Sequence, residues 1–137
     1  MNKNLFLLAL ALTLSCSANQ GPLKHPMDKS ESKTIKLENG LKVYLLSDPD
    51  FNVCAASMSV EVGSYQDPDN RQGMAHFLEH MLFLGTEKYP DVDEYSTYLK
   101  TFGGYSNAYT AGDHTNYQLQ VLPDGFEGSL DRFAQFF

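Results

Sequence analysis

The sequence predicts an α+β fold, an antiparallel sheet with helices packed on one face. Two observations carry that expectation. Apolar and polar residues alternate from Ile35 to Leu45, from Val53 to Val62 and from Tyr117 to Val121, the period of strands covered on one side only. Between and after these runs, apolar residues recur every three or four positions in stretches that begin at Met74, Val92 and Phe126, as in amphipathic helices.

The elements follow in order once residues 1–18 are set aside. Lys3 supplies a positive start and Leu5 to Leu14 an apolar run too short to span a bilayer comfortably, which reads as an export signal. Leu12-Thr13-Leu14-Ser15-Cys16 resembles a bacterial lipobox, with Cys16 as the lipidated residue. Ordinary cleavage after Cys16-Ser17-Ala18 competes with it. Either route predicts an exported bacterial protein of the periplasm, anchored to the outer membrane through Cys16 if the lipobox is used. Cys54 is then the one remaining thiol, so no internal disulfide is expected, and its apolar neighbours make it a small buried hydrophobe.

Residues 19–33, rich in Pro, Ser, Lys and Asp, read as a flexible tether. Residues 34–137 read as the N-terminal part of one larger domain. A hairpin is predicted around Asn39-Gly40, a pair that tolerates the positive φ angles of a type I′ turn. Asp48-Pro49-Asp50 breaks its second strand, and a third strand runs within residues 52–62, closed by Gly63. Asp67-Pro68-Asp69-Asn70 supplies turn material and a candidate N-cap for the helix that ends at Gly85. A second helix is predicted from Asp91, with Glu94 at the capping-box spacing, a face of Val92, Tyr95, Leu99 and Phe102, and a Gly103-Gly104 stop. Two further β stretches, residues 105–110 and 114–122, precede a last helix marked by Phe126, Leu130, Phe133 and Phe137. That helix has neither a glycine stop nor a polar tail, so the sequence reads as a fragment or the product of a truncated frame.

The net charge of −7 comes without any Lys/Arg cluster, which argues against nucleic acid as a partner. A membrane enters only through the candidate N-terminal lipid. Chemistry concentrates in His76-Phe77-Leu78-Glu79-His80. On a helix, His76 and His80 fall one turn apart on one face, with Glu79 beside them. Neutral imidazoles so placed suit Zn²⁺, and a neighbouring carboxylate can take a proton from water that the metal acidifies. The stripe Met74, Phe77, Leu78, Met81 and Leu82 is expected to face the core, leaving the His/Glu face for catalysis. His25 falls in the tether, and His114 reads as a structural loop residue.

The order His-x-x-Glu-His inverts the commoner zinc-peptidase motif. Together with GMAHFLEHMLFLG at 73–85, Lys88-Tyr89-Pro90, GGYSNAYT at 103–110, His114-Thr115-Asn116-Tyr117 and LDRFAQFF at 130–137, it gives a sequence that strongly resembles the pitrilysin and insulin-degrading enzyme family. The resemblance implies a zinc metalloendopeptidase of oligopeptides. His76 and His80 would be metal ligands, Glu79 the general base, and the third ligand a glutamate on a later helix beyond residue 137. Asn107, Ala108 and Tyr109 would bind substrate on an edge strand, where backbone pairing makes little demand on sequence. The family's halves enclose a chamber for peptides, so the remainder of the parent chain or a second pitrilysin-like half is an expected partner. The competing expectation is a non-catalytic product, either a truncated remnant or a lipid-anchored peptide-binding module.

Overall fold

The computed structural model describes residues 24–137. The signal-like residues 1–18, Cys16 among them, and the start of the tether lie outside that range. The chain divides into two units, one ending at Asp48 and the other running from Pro49 to Phe137.

The first unit is a hairpin of β1 (Glu31–Lys36) and β2 (Lys42–Ser47), antiparallel, with Ile35 opposite Val43. Glu31, Ser32 and Lys33, expected in the tether, are already in the ladder opposite Ser47, Leu46 and Leu45. The turn also differs from the type I′ expectation. Of Asn39 and Gly40, only the glycine has positive φ, at +92°, whereas type I′ needs it at both residues. Gly40 N–H donates to Leu37 O at 2.9 Å and Leu37 N–H to Leu41 O at 2.8 Å. This is a longer loop closed by a left-handed glycine.

The second unit holds a three-stranded antiparallel sheet in the order β3-β5-β4, from β3 (Cys54–Val60), β4 (Tyr105–Thr110) and β5 (Thr115–Val121). Three helices accompany it: α1 (Met74–Met81), α2 (Glu94–Thr101) and α3 (Pro123–Ala134). Register sorts the side chains by face. Met58, Tyr117 and Ala108 align across the strands, as do Val60, Thr115 and Thr110, and this side meets the helices. The opposite side carries Ser59, Asn116 and Tyr109 in one row and Ser57, Gln118 and Asn107 in the next, with Asn116 donating to Ser57 Oγ at 3.0 Å.

The core is Tyr95, Leu99, Tyr117, Leu119, Val121, Phe133 and Phe136. Large side chains buried in this way contribute about 1.5–3 kcal/mol each. Phe136 takes the place at the centre that periodicity gave to Phe137: its ring meets Phe83 at 5.3 Å and Tyr95 at 5.1 Å, while Phe137 is exposed. Cys54 is half-buried rather than sealed in.

Two helix ends show how local chemistry is decided. At the end of α2, Gly103 has φ +64°; its N–H donates to Lys100 O at 3.0 Å and that of Gly104 to Leu99 O at 2.7 Å, the Schellman arrangement. At its start, the capping box expected at Asp91 is absent. The helix begins at Glu94 with Asp93 as an N-cap that makes no side-chain bond. Glu94 is taken instead by Arg132, whose Nε and Nη2 donate to Oε1 at 2.7 and 2.6 Å, because a charge-assisted pair is stronger than a single cap bond.

Candidate metal centre

Gly73, the N-cap of α1, has no side chain to accept from the free N–H groups of the first turn. Asp67 does that from outside the helix. Its Oδ2 accepts from Gly73 N–H at 2.7 Å and its Oδ1 from Ala75 N–H at 2.8 Å. A negative charge there also complements the helix dipole. The far end passes into a short 3₁₀ turn, Leu82–Leu84, and stops at Gly85 with φ +119°.

The loop that follows is tied to α3. Lys88 Nζ lies 2.9 and 2.7 Å from the two oxygens of Asp131, and Tyr89 Oη–H also donates to Asp131. Arg132 stacks over the Tyr98 ring at 3.7 Å and the Tyr89 ring at 4.3 Å. The Lys88 and Tyr89 donors hold the Asp131 carboxyl below its ordinary value. The helix is therefore held at its start by the nearby Asp67 and, through the loop after its end, by α3, which is distant in sequence.

On α1, the Nε2 atoms of His76 and His80 lie 3.0 Å apart, and the rings are 4.7 Å between centroids. Donors about 2.0–2.1 Å from a tetrahedral zinc are separated by about 3.3 Å, so the two rings already stand near the spacing of two zinc ligands. Glu79 completes a cluster in which one candidate ligand atom from each residue lies within 4.8 Å of the others. It is the one such cluster among the described residues. The residues present fit two positions of a zinc site and place a carboxylate beside it.

Burial on α1 departs from the expected one along most of the apolar stripe, although Leu82 packs against the core and His76 and His80 are exposed as expected. Phe77 and Leu78 are 64% and 55% exposed, Met74 and Met81 are also exposed, and Glu79 is 6% exposed. The carboxylate, not the apolar stripe, meets the sheet. The reason is a partner on β4: Thr110 Oγ1–H donates to Glu79 Oε2 at 2.7 Å, which makes burial of the charge tolerable. Tyr117 sits close by, its phenol pushed up by burial and then by the Glu79 carboxylate.

Asn107, Ala108 and Tyr109 lie on β4, an edge strand of the three-stranded sheet. Ala108 shares the helix-covered face with Thr110, whereas the Asn107 and Tyr109 side chains alternate to the opposite one. His114 accompanies Tyr109: its Nδ1 is 2.7 Å from Asp113 Oδ1 and its Nε2 is 3.4 Å from Tyr109 Oη. Asp67 fell within a candidate cap region, but Thr110 carried no local signal, because its contact spans 31 positions.

An α+β domain carrying His-x-x-Glu-His on a helix packed against a sheet edge is the type of an inverted-motif metallopeptidase. The chain belongs to the insulinase family, peptidase family M16, whose sequence pattern matches residues 42–137. It is 56% identical over 115 residues to insulin-degrading enzyme-like 1, peroxisomal, of Arabidopsis thaliana, covering 84% of this chain and 12% of that protein. Against the insulin-degrading enzyme of Homo sapiens the identity is 53% over 114 residues, 83% of this chain and 11% of the other. The crystal structure of pitrilysin is similar with a TM-score of 0.79 and 41% identity, over 83% of this chain and 12% of that one. The chain thus spans about an eighth of the length of these proteins. The family is one of zinc metallopeptidases.

Proposed function

We propose that this chain is the metal-binding portion of a zinc endopeptidase that degrades oligopeptides. The observation that carries the reading is the pair of imidazole nitrogens 3.0 Å apart with a buried carboxylate that has an oxygen within 4.8 Å of a nitrogen of each ring. His76 and His80 would hold the metal through Nε2, with the third ligand supplied by a glutamate outside this sequence. Zinc, when bound, supplies a positive charge that acidifies water and polarises a peptide carbonyl. Glu79 accepts the proton of the attacking water and returns it to the leaving amine. The β4 edge offers backbone groups along Asn107, Ala108 and Tyr109 on which a substrate can lie as an added strand, so many peptides can be accepted. The names of the similar proteins, insulin-degrading enzymes among them, support a polypeptide substrate.

Replacing His76 or His80 by Gln in the full-length protein is expected to lower zinc content well below one equivalent and abolish peptide hydrolysis. Full zinc occupancy in either variant would contradict the ligand assignment.

We further propose that the protein is exported and, through Cys16, attached to a membrane. No helix among the described residues is long and apolar enough to cross one. A Cys16→Ser protein that remained membrane-bound would count against the lipid.

A further inference from the structure

We propose that Thr110 is a positioning residue for Glu79, fixing the carboxylate through Oε2 so that Oε1 is the oxygen left to carry the proton. The proposal rests on the reading of Glu79 as the base. The bond is well formed for a hydroxyl donor, 2.7 Å, and its acceptor is a carboxylate 6% exposed. A buried carboxylate keeps its place only where its oxygens find donors.

Thr110 is itself well fixed. As a β-branched residue it is stiff at χ1, and on β4 it pairs directly with Thr115 of β5. Thr115 Oγ1–H donates to Val62 O at 2.8 Å, and the two threonine hydroxyl oxygens stand 3.5 Å apart. The donor that meets Glu79 therefore sits on a ladder rather than on a loop.

Its place in the strand gives the contact a function beyond burial. Thr110 directly follows Tyr109 on the edge strand proposed to receive the substrate backbone. One hydroxyl then ties the base on α1 to the strand that sets where the scissile bond lies. Misplacement of a catalytic group by an ångström costs rate rather than binding.

The test compares Thr110→Val, which keeps the branched shape and removes the donor, with Thr110→Ser, which keeps the donor. In the full-length protein, Thr110→Val is expected to lower kcat about 10-fold with KM within about 2-fold of wild type, and Thr110→Ser to stay within about 3-fold in kcat. Zinc stoichiometry should be the same in all three. In the zinc-free chain, labelled with ¹³C at Glu carboxyls, the Glu79 resonance should move in Thr110→Val and hold in Thr110→Ser. If Thr110→Val does not fold, Thr110→Ala carries the same expectations.

The proposal is overturned by a donor-less variant with unchanged kcat, by Thr110→Ser falling as far as Thr110→Val, or by an unmoved Glu79 resonance. A Glu79→Gln protein as fast as wild type overturns the base reading and the proposal with it. Loss in Glu79→Gln without loss in Thr110→Val overturns the proposal alone.

Discussion

Tyr95 shows what burial does to one ionisable side chain in this molecule. It is 6% exposed, lies against Phe83 and Phe136, and burial pushes its phenol up to about 12, with Ser106 opposing. In the unfolded chain the same group titrates near 10.0. Below that pH both states hold the proton and the contribution to stability is complete. As pH rises from about 10 towards about 12, the unfolded state loses its proton first, so stability falls. Denaturant midpoints should therefore be level approaching pH 10 and drop above it, and Tyr95→Phe should flatten the drop. An equal drop in Tyr95→Phe would assign it to another group.

At the scale of elements, α1 decides most of what the site can be. Eight residues make a helix that is marginal alone, so its ends matter. Asp67 accepts two N–H groups at one end, and Asp67→Ala is expected to cost about 1 kcal/mol, read as a lower thermal midpoint, and to weaken zinc binding. An unchanged midpoint would show that the cap is dispensable.

The helix also marks the limit of what the sequence made legible. Strand alternation, the Gly85 and Gly103 stops and the His76/Glu79/His80 spacing were all readable, because each depends on residues a few positions apart. The direction in which α1 faces was not. Periodicity identified two faces and assigned the apolar one to the core, whereas Thr110, far along the chain, draws Glu79 inward and leaves Phe77 and Leu78 outside. The cap of α2 went the same way, since Glu94 answers to Arg132 rather than to Asp91. Phe136 could not be chosen over Phe137 without knowing where Phe83 and Tyr95 would lie.

For the molecule as a whole, the chain carries the proposed base and the two proposed ligand positions on a scaffold similar to that of pitrilysin, within about an eighth of the length of such proteins. Met74, Phe77, Leu78 and Met81 lie exposed along α1. In the proposed site, metal binding belongs to His76 and His80 and proton transfer to Glu79. Glu79→Gln in the full-length protein separates them most directly, because glutamine can still accept from Thr110 but cannot take a proton. The expected result is full zinc content with peptide hydrolysis lowered by about 10²–10⁴-fold. Hydrolysis at the wild-type rate, or loss of zinc along with activity, would contradict the assignment of Glu79 as base.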